Sequence, residues 1–167
     1  NYMISVIGSL IVKNSDWADS KLSESINMAA YIHDMFLETE DEMNITSDYE
    51  LDQFTKDSEK KTRIKNHAVL ASEKAALINE IPADVVKIVK QHHGKNSGSG
   101  YTTELSSVIV KLSILFIVAE EVALAILKSP REKINLSGIF KEIIKKYNDN
   151  DNVSKCISAL SKSFGKK

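Results

Sequence analysis

Apolar residues recur along this chain at intervals of three and four, and nowhere do they alternate one by one over the length of a strand. That regularity confines the chain to helices packed on helices, because a period near 3.6 turns one stripe of side chains toward a core while a strand needs a period of two. Met3, Ile4, Val6, Ile7, Leu10 and Ile11 mark a first helix that stops near Asn14. Leu22, Ile26, Ala29, Ala30 and Ile32 mark a second, with Ser20 as its N-cap and His33 and Asp34 in its last turn. A third is predicted from about Lys61 to Glu80, where Ile64, His67, Leu70, Ala71, Ala75 and Ile78 trace one face. Pro82 suits the first turn of a fourth, whose Val85, Val86, Ile88 and Val89 face the core before Gly94 ends it. A fifth spans roughly Ser106 to Lys128 and is halted by Pro130, and shorter amphipathic helices cover 137–147 and 153–164. From Glu38 to Glu59 the chain is acidic and polar without a sustained period, which predicts a long connection or a lid.

At 167 residues the chain has the length of one domain able to bury its own core, so 1–167 reads as a single all-α unit. Its 22 Lys and Arg against 23 Asp and Glu leave a net charge of −1, which excludes a nucleic acid polymer or an anionic membrane held by a general basic field. Any phosphate ligand must be caught locally. Cys156 is the only cysteine, so no internal disulfide framework exists and a reducing cytoplasm is the expected setting. It lies far from any histidine in sequence, and its expected role is structural. The most apolar stretch, Val108 to Ala119, is broken by Lys111 and Ser113 and followed by Glu120 and Glu121; it falls short of the ~20 residues a membrane span needs and reads as a buried helix. The chain opens at Asn1 without an initiator Met or a signal-peptide pattern, and is expected to be a piece of a longer polypeptide.

The chemistry concentrates in the histidines. All four, His33, His67, His92 and His93, fall at a predicted helix end or on an inward face, on three different helices, with Asp34 beside the first and Glu120 on the long apolar helix. Imidazole nitrogens with carboxylate oxygens suit iron, manganese or zinc, and a carboxylate can bridge two cations. Each histidine taken singly also fits a satisfied core hydrogen bond; four together on inward positions point to a metal site between the central helices. Next to the paired histidines, Gly94, Gly98 and Gly100 with Asn96, Ser97 and Ser99 mark a flexible polar loop.

In these residues the chain resembles the HD superfamily of metal-dependent phosphohydrolases, and within it the HD-GYP type. His33-Asp34 after Met28-Ala29-Ala30-Tyr31-Ile32 resembles the doublet that names the superfamily, and His67 matches the next histidine. His92-His93-Gly94-Lys95-Asn96-Ser97-Gly98-Ser99-Gly100-Tyr101-Thr102 is similar to the signature in which two histidines precede a Gly-Ser-Gly-Tyr-Pro loop, the most specific part of the match. Val118-Ala119-Glu120 resembles the place where the family carries Val-Ala-Asp, and order and spacing agree from about Ser20 to Leu127. The resemblance implies an HD-domain helical bundle in which His33, Asp34 and Glu120 hold one divalent cation, while Asp34 bridges to a second held by His67, His92 and His93. It further implies hydrolysis of cyclic di-GMP or a related cyclic dinucleotide by a metal-activated water, with Asp34 catalytic and Gly98, Gly100 and Tyr101 touching substrate. The expected partners are that substrate and an upstream regulatory domain of a signalling protein whose C-terminal output module this would be, with a homodimer left open.

The pattern is also altered. Phe36 and Leu37 stand where Gly-Lys usually follows the doublet, Gly94 replaces a common glutamate, Ser97 an aspartate, and Thr102 the loop proline. The family's histidine on the preceding helix has no counterpart, its place falling at or just before Asn1. Two further functions therefore stay open beside a cyclic-dinucleotide phosphodiesterase. One is a degenerate domain acting as a ligand-binding or protein-interaction module, and the other a hydrolase of a different phosphoester.

Overall fold

A computed structural model of the chain describes residues 1–16, 20–102 and 104–164. Among them every regular element is helical: α1 (Tyr2–Asn14), α2 (Ser20–Ile32), α3 (Glu40–Met43), α4 (Asp48–Phe54), α5 (Ser58–Ala76), α6 (Ala83–Gln91), α7 (Lys111–Lys128), a 3-10 turn (Arg131–Lys133), α8 (Leu136–Lys146) and α9 (Asp151–Phe164). The all-α reading therefore holds.

The core is organised around α7. Seven consecutive residues, Ser113 to Ala119, are buried there, and Val122 and Ala123 continue the run one turn later. A helix buried on all sides needs neighbours on all sides, and α1, α6, α8 and α9 pack against it. α1 also packs on α2 and α9, and α6 on α2 and α5. α1 turns Ile4, Ile7, Ile11 and Val12 inward, and its contact with α2 is close enough that a Cβ on Gly8 would sit 2.4 Å from the Ile26 side chain. A smaller apolar cluster of Leu37, Ile45, Leu51, Ile64 and Tyr101 lies beneath the α3–α4 segment.

Several boundaries differ from the sequence expectations for local reasons. α2 ends at Ile32, so His33 and Asp34 occupy the turn just after it, although the His33 N–H still donates to Ala29 O at 2.9 Å. Ser20 opens α2 rather than preceding it, and its side chain lies outside the described surroundings. The acidic stretch is no uniform loop: Thr39 and Ser47 cap α3 and α4 by accepting from Glu42 N and Glu50 N. One- and two-turn helices are too short to show a period. α5 starts at Ser58 because Asp57 caps it, accepting from Glu59 N and Lys60 N, and it ends at Ala76, leaving Ile78 exposed instead of on the inward face. Pro82 is the N-cap of α6, one place ahead of the first turn. α7 begins at Lys111, five residues later than expected. Residues 106–109 form one turn, closed by the Ile109 N–H donating to Ser106 O at 3.0 Å, and the Val110 N–H donates to the Gln91 side chain at 3.2 Å instead of to a helical carbonyl.

Candidate metal centre

The four histidines converge. His33 follows α2, His67 lies in the middle of α5, and His92 and His93 follow α6. His33, His67 and His92 are each about 1% exposed, with the Phe116 ring of α7 behind the first and third at 5.2 and 6.3 Å between centroids. Each of these three imidazoles donates its Nδ1–H to a carbonyl three residues earlier: His33 to Ala30 O at 3.1 Å, His67 to Ile64 O at 2.6 Å and His92 to Val89 O at 2.7 Å. A carbonyl only accepts, so Nδ1 carries the hydrogen, and the Nε2 of each neutral ring is an outward-facing lone pair. The repeated helical geometry thus points three bases at one spot.

Around that spot stand a fourth imidazole nitrogen and two carboxylates. His67 Nε2 stands 3.1 Å from His92 Nε2, 3.0 Å from His93 Nε2 and 3.3 Å from Asp34 Oδ1, which is 3.8 Å from His92 Nε2. The other Asp34 oxygen, Oδ2, is 3.2 Å from His33 Nε2, and Glu120 Oε1 is 3.7 Å from the same nitrogen. Two sets of donor atoms result, His67 with His92 and His93, and His33 with Asp34 and Glu120, each with its ligand atoms within 4.8 Å of one another. Asp34 faces both, one oxygen to each.

The donor chemistry fits cations. Lone pairs about 3 Å apart repel unless a positive charge lies between them, and two nitrogens each about 2.1 Å from a common ion stand at that separation when the angle is near 90°. Electrostatics reflect the crowding. Burial, then the charges of His33 and His67, hold His92 down to about 3, and burial with His92 and His67 depresses His93. Burial alone would depress His33 too, but the Asp34 and Glu120 carboxylates outweigh it and raise it. Asp34 is held well below the carboxylate range because His33, His67 and His92 overcome its burial, whereas burial raises Glu120.

Asp34, His67, His92, His93 and Glu120 line a narrow cleft together with Leu37, Met43, Ile45, Thr46, Tyr101, Thr102, Leu124, Lys146 and Tyr147. Its cavity volume is about 30 Å3, room for roughly two waters or ions. No α1 residue lines it, which leaves the His33 set with three protein donors.

Of the expected substrate contacts, Tyr101 lines this cleft while Gly98 and Gly100 do not. The Tyr101 ring packs on His93 at 4.4 Å between centroids, and its hydroxyl is buried without a partner among the described residues. Burial, then Asp34 and Glu120, push that phenol above its ordinary range, keeping it a donor. Gly98 and Gly100 shape the loop instead. Their φ values are +81° and +69°, and a Cβ on Gly98 would lie 2.8 Å from Lys90 O.

Three features escape a sequence reading. Buried Gln91 accepts from Val110 N and Ser113 Oγ and donates to Asn96, tying the histidine pair to α7 and to the glycine loop; the only signal is a polar residue within an apolar period. Glu42 and Arg63 join the α3 segment to α5, and Arg63 also donates to Phe36 O at 2.6 Å just past the doublet. Lys146, at the end of α8, also lines the cleft, and nothing in its sequence surroundings sets it apart from the neighbouring lysines. Cys156 is buried, its thiol pushed up to about 12 by that burial. No helix among the described residues is long and apolar enough to cross a membrane. Comparison of the chain with family models, curated proteins and solved structures finds no match.

Proposed function

We propose that this chain is a metal-dependent phosphohydrolase domain of the HD type, acting on a phosphodiester of the cyclic-dinucleotide class. The observation that carries the reading is the position of Asp34, whose two oxygens each face a separate set of imidazole and carboxylate donors in a narrow cleft. When bound there, a divalent cation supplies Lewis acidity, bringing the pKa of a coordinated water from 15.7 toward about 7 and taking up charge on phosphoryl oxygens.

The protein's own groups do the rest. The Ala30, Ile64 and Val89 carbonyls fix the tautomer and tilt of three imidazoles, as outer partners do in metal sites generally. Phe116 blocks the rings from behind. Leu37, Met43 and Ile45 keep one wall apolar, which limits water at the reacting phosphate and strengthens every charge interaction inside. The Tyr101 hydroxyl, protonated and unpartnered, is suited to donate to a phosphoryl oxygen. With one ring face taken by His93, that role fits it better than stacking on a guanine.

A second reading has one observation in its favour. Leu37, where the resembled family carries a lysine, lines the cleft as an apolar residue, and a domain that binds a nucleotide without hydrolysing it would have that wall. Both readings carry an output role in cytoplasmic signalling.

Incubation with cyclic di-GMP and with bis(p-nitrophenyl) phosphate, in protein loaded with iron or manganese, separates them. We expect turnover in the wild type and its loss, with a fall in bound metal, in Asp34→Ala. Full turnover in that variant would refute the assignment, and tight nucleotide binding without turnover in the wild type would select the second reading.

A further inference from the structure

The cleft contains one ion pair that the metal-site chemistry does not use. Glu121 follows Glu120 on α7 and lines the same cleft, where its charge opposes the approach of any phosphate. Its Oε1 accepts from Lys146 Nζ at 2.5 Å and from Tyr147 Oη at 2.9 Å, both at the C-terminal end of α8. Lys146 is the sole Lys or Arg among the described residues lining the cleft, and about a third of its side chain is exposed. An ammonium has three donors, and a single contact to Glu121 leaves two of them for an incoming anion. Tyr147, buried and below the ammonium at 5.6 Å from ring centroid to Nζ, holds the end of the helix in place.

We infer that Lys146 is the phosphate anchor of the cleft: supplied by the C-terminal helix α8, it cancels Glu121 and offers its remaining hydrogens to a non-bridging oxygen of a phosphate ester. The wall vacated by Leu37 is thereby compensated from the opposite end of the chain. This rests on the phosphohydrolase reading only in taking a phosphate ester as the ligand, and it concerns recognition, not the attacking water. The competing role for the pair is to pin α8 on α7, and such a role moves thermal stability without moving anion affinity.

The test titrates inorganic phosphate calorimetrically into the metal-loaded full chain, as wild type, Lys146→Gln, Lys146→Arg and Lys145→Gln, the last removing an exposed neighbouring charge. Loss of one charge-assisted hydrogen bond should weaken phosphate binding about tenfold or more in Lys146→Gln. Metal content should stay at the wild-type level, Lys146→Arg should retain most of the affinity, and Lys145→Gln should match the wild type. Equal affinity in Lys146→Gln, or no phosphate binding by the wild type, overturns the proposal. Hydrolysis of bis(p-nitrophenyl) phosphate in the same samples keeps the two readings apart. Turnover with an unchanged KM in Lys146→Gln removes the anchor and leaves the hydrolase. Lys146-dependent phosphate binding without any turnover removes the hydrolase and leaves the anchor.

Discussion

Glu42 has no solvent-exposed surface and still remains an ionised acid. Burial opposes that charge most strongly, but Arg63 donates to both its oxygens at 2.8 and 3.0 Å, and Glu38 N and Lys60 add to them, holding the carboxyl down to about 2. A folded value below the unfolded one of about 4.3 means stability that is present above that pH and lost as pH falls toward 2, on the order of 3 kcal/mol. Urea unfolding at pH 5 and pH 2.5 should show that loss in the wild type and a clearly smaller one in Glu42→Gln; equal losses would remove Glu42 as the cause. Gly98 makes a second residue-scale case. Its positive φ and the 2.8 Å approach to Lys90 O leave no room for a Cβ, so Gly98→Ala should cost about 1–3 kcal/mol in denaturant unfolding. A cost under a few tenths would show that the loop relaxes freely. The histidines were legible because each type is rare and each falls at an inward or terminal position. Glu42 and Lys146 were not, since their partners stand 21 and 25 residues away and a charged side chain in sequence looks the same buried or solvated.

At the scale of elements, α7 is both the centre of the core and the back wall of the candidate metal centre, with Phe116 fully buried against His33 and His92. Phe116→Ala should destabilise the fold by about 3–5 kcal/mol. Metal affinity should also fall, because two imidazoles lose the surface that fixes their tilt. Calorimetric melting and metal titration check both, and unchanged metal affinity would separate the core role from the site. Long helices with a full apolar stripe, α1, α2, α8 and α9, could be read within a residue or two. The starts of α5 and α7 could not, because Asp57 capping lengthens one and the Gln91 hydrogen bond to Val110 shortens the other. A side-chain acceptor outside the helix can take a backbone N–H in place of a helical carbonyl at little cost, and periodicity does not register the exchange.

For the molecule as a whole, the nitrogens and oxygens gathered around Asp34 form two groups that could each take a cation. A cation that binds only the folded chain should stabilise it by about 2.7 kcal/mol at a hundredfold excess over its dissociation constant. For a chain of this size that is a rise of roughly 5–10 °C in Tm. Scanning calorimetry with iron or manganese and then with chelator should show the rise and its reversal, and His67→Ala should abolish it; a Tm indifferent to metal would leave the cluster as core packing alone. What the sequence alone determined is the all-helical class and the order of the principal helices, and it singled out the six residues that the fold gathers into the candidate metal site, because helical period and rare side-chain chemistry are local properties. Tertiary structure alone decided the distances from each Asp34 oxygen to its imidazoles, that neither Gly98 nor Gly100 lines the cleft, and that a lysine of the C-terminal half does. Those are distances between residues far apart in the chain, and they depend on how the helices cross, which no local pattern encodes.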